Sequence, residues 1–458
     1  MAPFAAFSGT SALPPRIPFA LCGMACVGLL LWWLRRDKAD RLTWLLMALA
    51  ILGNVSLFLY FRQARYYGLT LLCSVAIASC YLHWNGSRRA LLWLSLLFLA
   101  VLACHYITFA GLAAVLAADY LIWQRHHVRK LKPVDWLLLL VPTVVFGSII
   151  VFIWNPFLLP GIVKQTSSNN IWDRLALFFW DLRDLDRAEF GVGVLLLLAP
   201  VLYFAVERTQ ILLRGPVCIL IYCLVMAIVS PQPVHVTSVA DVRYLIPLIP
   251  LCMAVEVAVL RLIACRAALW MGVSSFRVGV SLGVVAFGTN MLNGGPFFPE
   301  GARSTIVAFS RELLSPPSDP YTEAARWVNQ HVPENVSIWA LPDYTAYPLI
   351  YHAPKAVYAW QLTWPPEAQF RGLPLINFRG QEPLDYIICF GPPALRLSGP
   401  FQTWAQHGIS YAHVATLDFF WANVYRPELF WHTFTPRTNY DKNSEAIYIF
   451  KRTSPKPR

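Results

Sequence analysis

"NVSLFLYFRQARYYGLTLLC", Asn54–Cys73, places two arginines, Arg62 and Arg65, at one turn between two long apolar runs. Tyr60, Tyr66 and Tyr67 surround them. Each flanking run is close to the roughly 20 residues that a helix needs to cross a bilayer. The stretch therefore reads as the turn of a helical hairpin, with the arginines and tyrosines at the depth where such side chains meet the membrane boundary.

The pattern repeats outward from this turn. The chain has 458 residues, of which 57% are hydrophobic and 14% charged. Apolar runs cover 17–34, 42–61, 66–84, 90–104, 106–123, 134–154, 190–206, 216–230, 244–260 and 278–292. Their continuity excludes a β-barrel, whose strands alternate. The expected fold is a polytopic α-helical membrane protein with about ten spans.

Basic loops set its orientation. Arg35, Arg36, Lys38 and Arg41 fall in one loop, Arg88 and Arg89 in the next on the same side. Arg125, Arg129, Lys130 and Lys132 follow, then Arg208 and Arg214, then Arg261, Arg266 and Arg277. The positive-inside rule makes this side cytoplasmic. Residues 1–15, the loops 155–189 and 231–243, and everything after about 293 then lie outside. The net charge of +12 is spent on these loops, and no basic stripe with interleaved aromatics suggests nucleic acid.

Two domains are expected: residues 1–293 in the membrane, and an extracytoplasmic α/β domain over 300–458. In the latter, "SDPYTEAARWVNQHV" reads as a helix with Asp319 as N-cap and Pro320 in its first turn. "VSIWAL", "LDYIICFG" and "EAIYIFKR" read as strands. Of ten cysteines, only Cys389 lies in this third, so it holds no internal disulfide. No Cys/His metal spacing occurs, and no metal or cofactor is expected. GxSxG, P-loop, HExxH and GxGxxG signatures are absent.

Charges on the outer side run against the positive-inside bias. Arg62, Arg65, Arg16, Lys164, Arg243 and His105 share that depth. Arginine suits bidentate contact with phosphate. "VADVRYLIPLIPL" puts Asp241, Arg243 and Tyr244 at the mouth of another span, with Pro247 and Pro250 loosening its first turns. Each set is equally well explained as an interfacial anchor or a neutral Asp–Arg pair. The 155–189 loop carries Asp173, Asp181, Asp184, Asp186 and Glu189 among Arg174, Arg183 and Arg187, with Trp172, Phe178, Phe179 and Trp180 as an apolar face. It reads as an amphipathic helix on the membrane whose charges form a solvated, self-paired face. Asp119, near the cytoplasmic end of its span, reads as snorkelling or paired with another helix.

Four segments resemble the glycosyltransferase-C superfamily, in particular the dolichyl-phosphate-mannose protein mannosyltransferase and Rgt-like group. "FSGTSALPPRIPFALCGMACVGLLLWWLRR" is similar to the helix after that family's "RLPS" turn, here Arg16-Ile17-Pro18-Phe19. "YFRQARYYGLTLL" resembles its R-x-x-R-x-Y turn, "ACHYITFAGLAAV" its HY turn and "DVRYLIPLIPL" its late RY helix entry. The resemblance spans roughly 7–290 in order. It implies transfer of a sugar from a polyprenyl-phosphate donor to a lipid, glycan or protein acceptor at the outer face of the inner or plasma membrane. It implies Arg62, Arg65, Tyr66, Arg243 and Tyr244 at the donor phosphate, with Arg16, His105 and Asp241 in support. The family's first helix and acidic outer loop have no counterpart here, so its catalytic aspartate has no assigned position. A fragment of an enzyme is one expectation. A catalytically incomplete relative that binds a lipid-phosphate sugar or serves assembly is another, and a flippase is a third.

Overall fold

The computed structural model describes residues 13–61, 63, 65–127, 131–153, 170–187, 191–229, 242–292, 304–314, 320–341, 345–359, 384–391, 408–417 and 446–453. Two compact units emerge, one built mainly from Ala12–Ser310 and one mainly from Arg311–Val424 and Thr435–Arg458.

The first unit is helical. Its elements are α1 (Leu13–Arg36), α2 (Arg41–Gly53), α3 (Val55–Phe61), α4 (Tyr67–Leu82), α5 (Arg88–Cys104) and α6 (Tyr106–Asp119). Then come α7 (Pro133–Ile153), α8 (Ile171–Arg187), α9 (Ala199–Ala205), α10 (Ile211–Val229), α11 (Ile249–Met271) and α12 (Ser275–Gly288). Five helices among the described residues are long and apolar enough to cross a membrane: Arg16–Arg36, Tyr106–Gln124, Pro133–Ile153, Ile211–Val229 and Tyr244–Met271. The pair α2 and α3, bent by 62°, makes a sixth if it is one span. Tyr67–Leu82, Val194–Ala205 and Ser275–Gly288 are shorter apolar helices. The protein is thus a polytopic helical membrane protein with five or six full-length apolar spans among the described residues.

The apolar runs break where a side chain can replace a lost helix partner. The first amides of a helix have no carbonyl to meet, and hydrocarbon offers no water instead. At the α2–α3 bend the Asn54 side chain accepts from the Leu57 N–H at 2.8 Å. At the α5–α6 break His105 Nδ1 accepts from the Thr108 N–H at 3.2 Å. A π-helical segment, Tyr120–Gln124, extends α6, and another, Val194–Leu198, precedes α9. Pro216 was expected to open a span; instead α10 begins at Ile211. Pro216 is the sixth residue of this helix and forgoes one i→i−4 hydrogen bond there; the turn before it carries Arg214.

Close contacts fix how the helices run. A Cβ at Gly68 would lie 2.7 Å from the Phe19 carbonyl oxygen, so only glycine lets α4 meet the start of α1. At their far ends Trp33 and His83 pack ring against ring at 5.5 Å. The two helices therefore lie side by side and point the same way. Gly111 of α6 faces the Tyr222 ring of α10, while Asp119 pairs with Arg214, so those two run oppositely. The basic loops meet at one end through Asp37–His83, Asp40–Arg261, Arg88–Asp135 and Asp119–Arg214.

The second unit holds a five-stranded sheet in the order β2-β1-β3-β5-β4. Its strands are β1 (Ser337–Leu341), β2 (Val357–Ala359), β3 (Tyr386–Phe390), β4 (Tyr411–Leu417) and β5 (Ile447–Arg452). The first three are parallel, and β5 and β4 join antiparallel. Helices α14 (Pro320–His331) and α15 (Ala346–His352) cover one face, burying Ala324, Val328 and Leu349 against Ile338, Ile388 and Ile449. The expected helix and three strands are all present; Asp319 lies outside the described residues. Helix α13 (Thr305–Leu314) precedes α14.

Candidate functional site

At the end of the first unit opposite the basic loops, three chain breaks converge. The α3–α4 turn brings Arg65 and Tyr66, the α5–α6 break brings His105, and a 3-10 segment, Val242–Leu248, brings Tyr244 into α11. Proline at 247 and 250 explains why this entry winds as 3-10 before it becomes α-helical.

The His105 ring lies between two phenols. It stacks on Tyr66 at 4.8 Å between centroids and 14° between planes, and on Tyr244 at 5.4 Å and 23°. Tyr66 meets Tyr67 edge-on at 4.6 Å, and Tyr67 meets Tyr60 at 5.2 Å. Arg65 donates from Nη1 to the Tyr67 hydroxyl at 3.4 Å while its side chain is exposed. Beneath, the fully buried Tyr222 donates its hydroxyl to the Tyr244 carbonyl at 2.9 Å. His105 Nδ1 is 2.8 Å from Thr108 Oγ1 and also accepts the Thr108 N–H. Acceptance there places the ring proton on Nε2, the opposite edge of the imidazole.

Three segments far apart in sequence thus bring two phenols, an imidazole and an arginine into one wall. Donors fixed on helix starts, with a cation beside them, suit an anion held at a boundary. Among the described residues no group of three His, Cys, Asp or Glu side chains could hold a metal ion.

Tyr66, His105 and Tyr244 come together, and Arg65 lies next to Tyr66 in the chain and bonds Tyr67. Arg16 is exposed in the first turns of α1, one turn before Phe19, just as Arg65 is three residues before the Gly68 that meets Phe19. Arg62, Asp241 and Lys164 lie outside the described residues, and for Arg243 only the backbone is described. Sequence reading placed Tyr60 and Tyr67 around the arginines without giving them a role, and passed over Thr108 and Tyr222. Tyr67 was in plain view beside Arg65; Tyr222 sits in an apolar run and carries no distinguishing signal.

Helix α8 differs from expectation. Its charges do not form a solvated face: Asp181 is 4% exposed and Asp184 1%. Ile171, Trp172 and Phe179 point outward instead, at 68%, 71% and 63%. Leu177, Asp181 and Asp184 share one face at helical spacing, and Leu177 packs on Ala227 of α10. One turn further along both helices, Asp181 comes within electrostatic reach of Tyr222 and Cys223. Arg183 holds Asp184 at 2.8 and 3.2 Å. In a membrane the outward apolar side chains have lipid to face, which is why the helix can turn its carboxylates inward. Asp119 is paired across helices: Arg214 donates to it at 2.9 and 2.6 Å and the Tyr81 hydroxyl at 2.6 Å.

No protein-family model matches the chain, and no curated protein matches it in sequence. Two solved structures resemble it over 95% of its length. One is ArnT from Cupriavidus metallidurans in the apo state, at TM-score 0.46 and 13% identity over 83% of that chain. The other is the same protein bound to undecaprenyl phosphate, at TM-score 0.45 and 11% identity over 84% of that chain.

Proposed function

We propose that the protein transfers a sugar from a polyprenyl-phosphate donor to an acceptor hydroxyl or amine at the outer face of the membrane. The observation that supports it most is the Tyr66–His105–Tyr244 stack, with Arg65 at its edge. These residues belong to three of the segments that resemble the glycosyltransferase-C superfamily. In this reading the membrane unit makes ten crossings, adding α5 and the three shorter apolar helices to the full-length spans, and the sheet-bearing unit is extracytoplasmic.

The chemistry places specific demands on such a wall. The bond between the sugar's anomeric carbon and the phosphate oxygen breaks, and a bond to the acceptor atom forms. The carrier leaves as a lipid phosphate, gaining negative charge on the oxygen released. Arg65, the His105 Nε2–H and the Tyr66 and Tyr244 hydroxyls stabilise that oxygen where its charge grows. The resemblance adds Arg62 and Arg243 at the donor phosphate, with Arg16 and Asp241 in support. The acceptor's proton passes to a base as the sugar carbon becomes oxocarbenium-like. Asp181, turned in toward Tyr222, is a carboxylate of this chain near that wall.

The test uses the full-length protein in native membranes with a radiolabelled polyprenyl-phosphate sugar. Label should move from the carrier to a membrane or envelope acceptor, and Arg65→Ala should lower transfer at least tenfold. No transfer by an intact protein that still binds the carrier would leave a binding or assembly role in its place. Transfer unaffected by Arg65→Ala and Arg62→Ala would reduce both arginines to interfacial anchors.

A further inference from the structure

Beneath the aromatic wall, the first unit holds a half-open chamber of about 780 Å³. Leu34, Val75, Leu116, Ala254 and Ala258 form its walls. Ser74, a hydroxyl in those walls, already donates to the Thr70 carbonyl at 2.7 Å. Tyr222, Pro247 and Leu248, all buried, close the end beneath Tyr244. The other end reaches the basic loops, where Lys38, Asp40, Glu207 and Gln210 line it and are exposed to solvent.

Such a space needs an occupant. Engineered apolar cavities of ~150 Å³ stay dry and take up hydrocarbons, and a buried water needs two to four polar partners. The chamber is several times larger, and its walls are apolar along most of their length. Its size is that of a site for a small-molecule ligand, about 300–1,000 Å³.

The mouth defines the head of that ligand. Arg214 is taken up by Asp119, and Arg261 by Asp40 at 2.8 Å. Lys38 has no acidic partner among the described residues. It stands at the end of α1 with φ 52°, closing the helix with the Ala39 N–H on the Leu34 carbonyl. That left-handed position favours glycine, and a lysine there is uncommon.

We propose that the chamber holds one acyl chain of a membrane phospholipid, inserted from the basic-loop end, with the headgroup phosphate on Lys38. The open end and its lysine lie at the depth where headgroups of the cytoplasmic leaflet sit. A polyprenyl phosphate anchored at the aromatic wall would have to pass the buried ceiling of Tyr222 and Leu248 to place its tail here. The site does not depend on sugar transfer: it would exist equally in a carrier-binding relative.

The test is native mass spectrometry of the full chain, released from nanodiscs of phosphatidylglycerol and phosphatidylethanolamine. One phospholipid should survive detergent exchange. Ala254→Trp should lower its retention by narrowing the chamber. Lys38→Glu, at an exposed position, should lower phosphatidylglycerol retention roughly tenfold, as reversal of one cation near a phosphate implies. A bare protein, a phospholipid retained equally by Ala254→Trp, or a polyprenyl phosphate retained in its place would each overturn the assignment. An unchanged Lys38→Glu would overturn the headgroup site.

Discussion

His105 performs three separable jobs, and substitutions can remove them one at a time. Its Nδ1 caps α6, its ring joins two phenols, and acceptance at Nδ1 leaves the ring proton on Nε2. Loss of an N-cap costs about 0.5–2 kcal/mol. Each aromatic pair contributes about 0.5–1.5 kcal/mol beyond burial. His105→Ala removes the cap and both pairs and should destabilise the protein by about 2–4 kcal/mol. His105→Asn keeps a capping acceptor and should cost only the stacks, about 1–3 kcal/mol. His105→Phe keeps the stacks but leaves the Thr108 N–H without its acceptor, at about 1–3 kcal/mol. Thermal unfolding in nanodiscs orders the three. The functional assay is displacement of a fluorescent polyprenyl phosphate. His105→Phe folds around a similar plane yet lacks the N–H, so it should bind the carrier about tenfold more weakly, about 1.4 kcal/mol. If His105→Phe binds and transfers like the native protein, the imidazole is only a cap and a spacer, and the reading of the wall as an anion site fails.

Other regions offer independent checks. Asp119 and Arg214 are joined by two hydrogen bonds in a buried setting, so either alanine variant should cost about 3–5 kcal/mol. In a double-mutant cycle the pair of alanines should cost little more than one, and additive losses would refute the coupling. Gly68→Val should push α4 off α1 and lower the unfolding temperature markedly, whereas Gly28→Ala, with open space around its Cβ, should change it little; equal effects would contradict the close approach. Burial pushes the Asp40 carboxyl up, but its bonds to Thr43 and Arg261 outweigh that and hold it below the usual carboxylate range. Its contribution is therefore present at neutral pH and lost as pH falls through that lowered value. Solvent screens it to well under about 1 kcal/mol, so Asp40→Asn should show a slightly flatter loss of stability between about pH 5 and 3; a steeper one would reverse the sign.

The candidate cluster was legible where chemistry interrupts grease. Arg65, Tyr66, His105 and Tyr244 stand out because each breaks an apolar run, and a break in a membrane helix exposes backbone groups that something must satisfy. The second unit showed its central strands for a related reason: Ile387, Ile388 and Cys389 are buried on both faces of the sheet and read as a continuous apolar run. Its edges did not. Strand β2 has three residues, too few for a period, and β4 is largely exposed, so no alternation marks it. The burial of Asp181 was equally hidden. Carboxylates at helical spacing look solvated when the reference is water, but α8 presents Trp172 and Phe179 outward. Only tertiary packing on α10 decides which face is inside.

Tyr222 ties the two halves of this picture together. Its ring fills the space left by Gly111 and lines the end of the chamber, while its hydroxyl holds the Tyr244 carbonyl. Tyr244 in turn carries one side of the His105 stack. The 3-10 entry to α11 has poorer hydrogen-bond geometry than an α-helix, and Pro247 brings no N–H to the Tyr244 carbonyl three residues before it. Its position therefore depends on what lies below it, and the polar wall rests on a ceiling shared with an apolar chamber. A phenylalanine at 222 would fill the same volume and leave the chamber closed, but would release the Tyr244 carbonyl. That substitution should loosen carrier binding while leaving lipid retention intact, and loss of both together would mean that the ring, not the hydroxyl, sets the geometry of the wall.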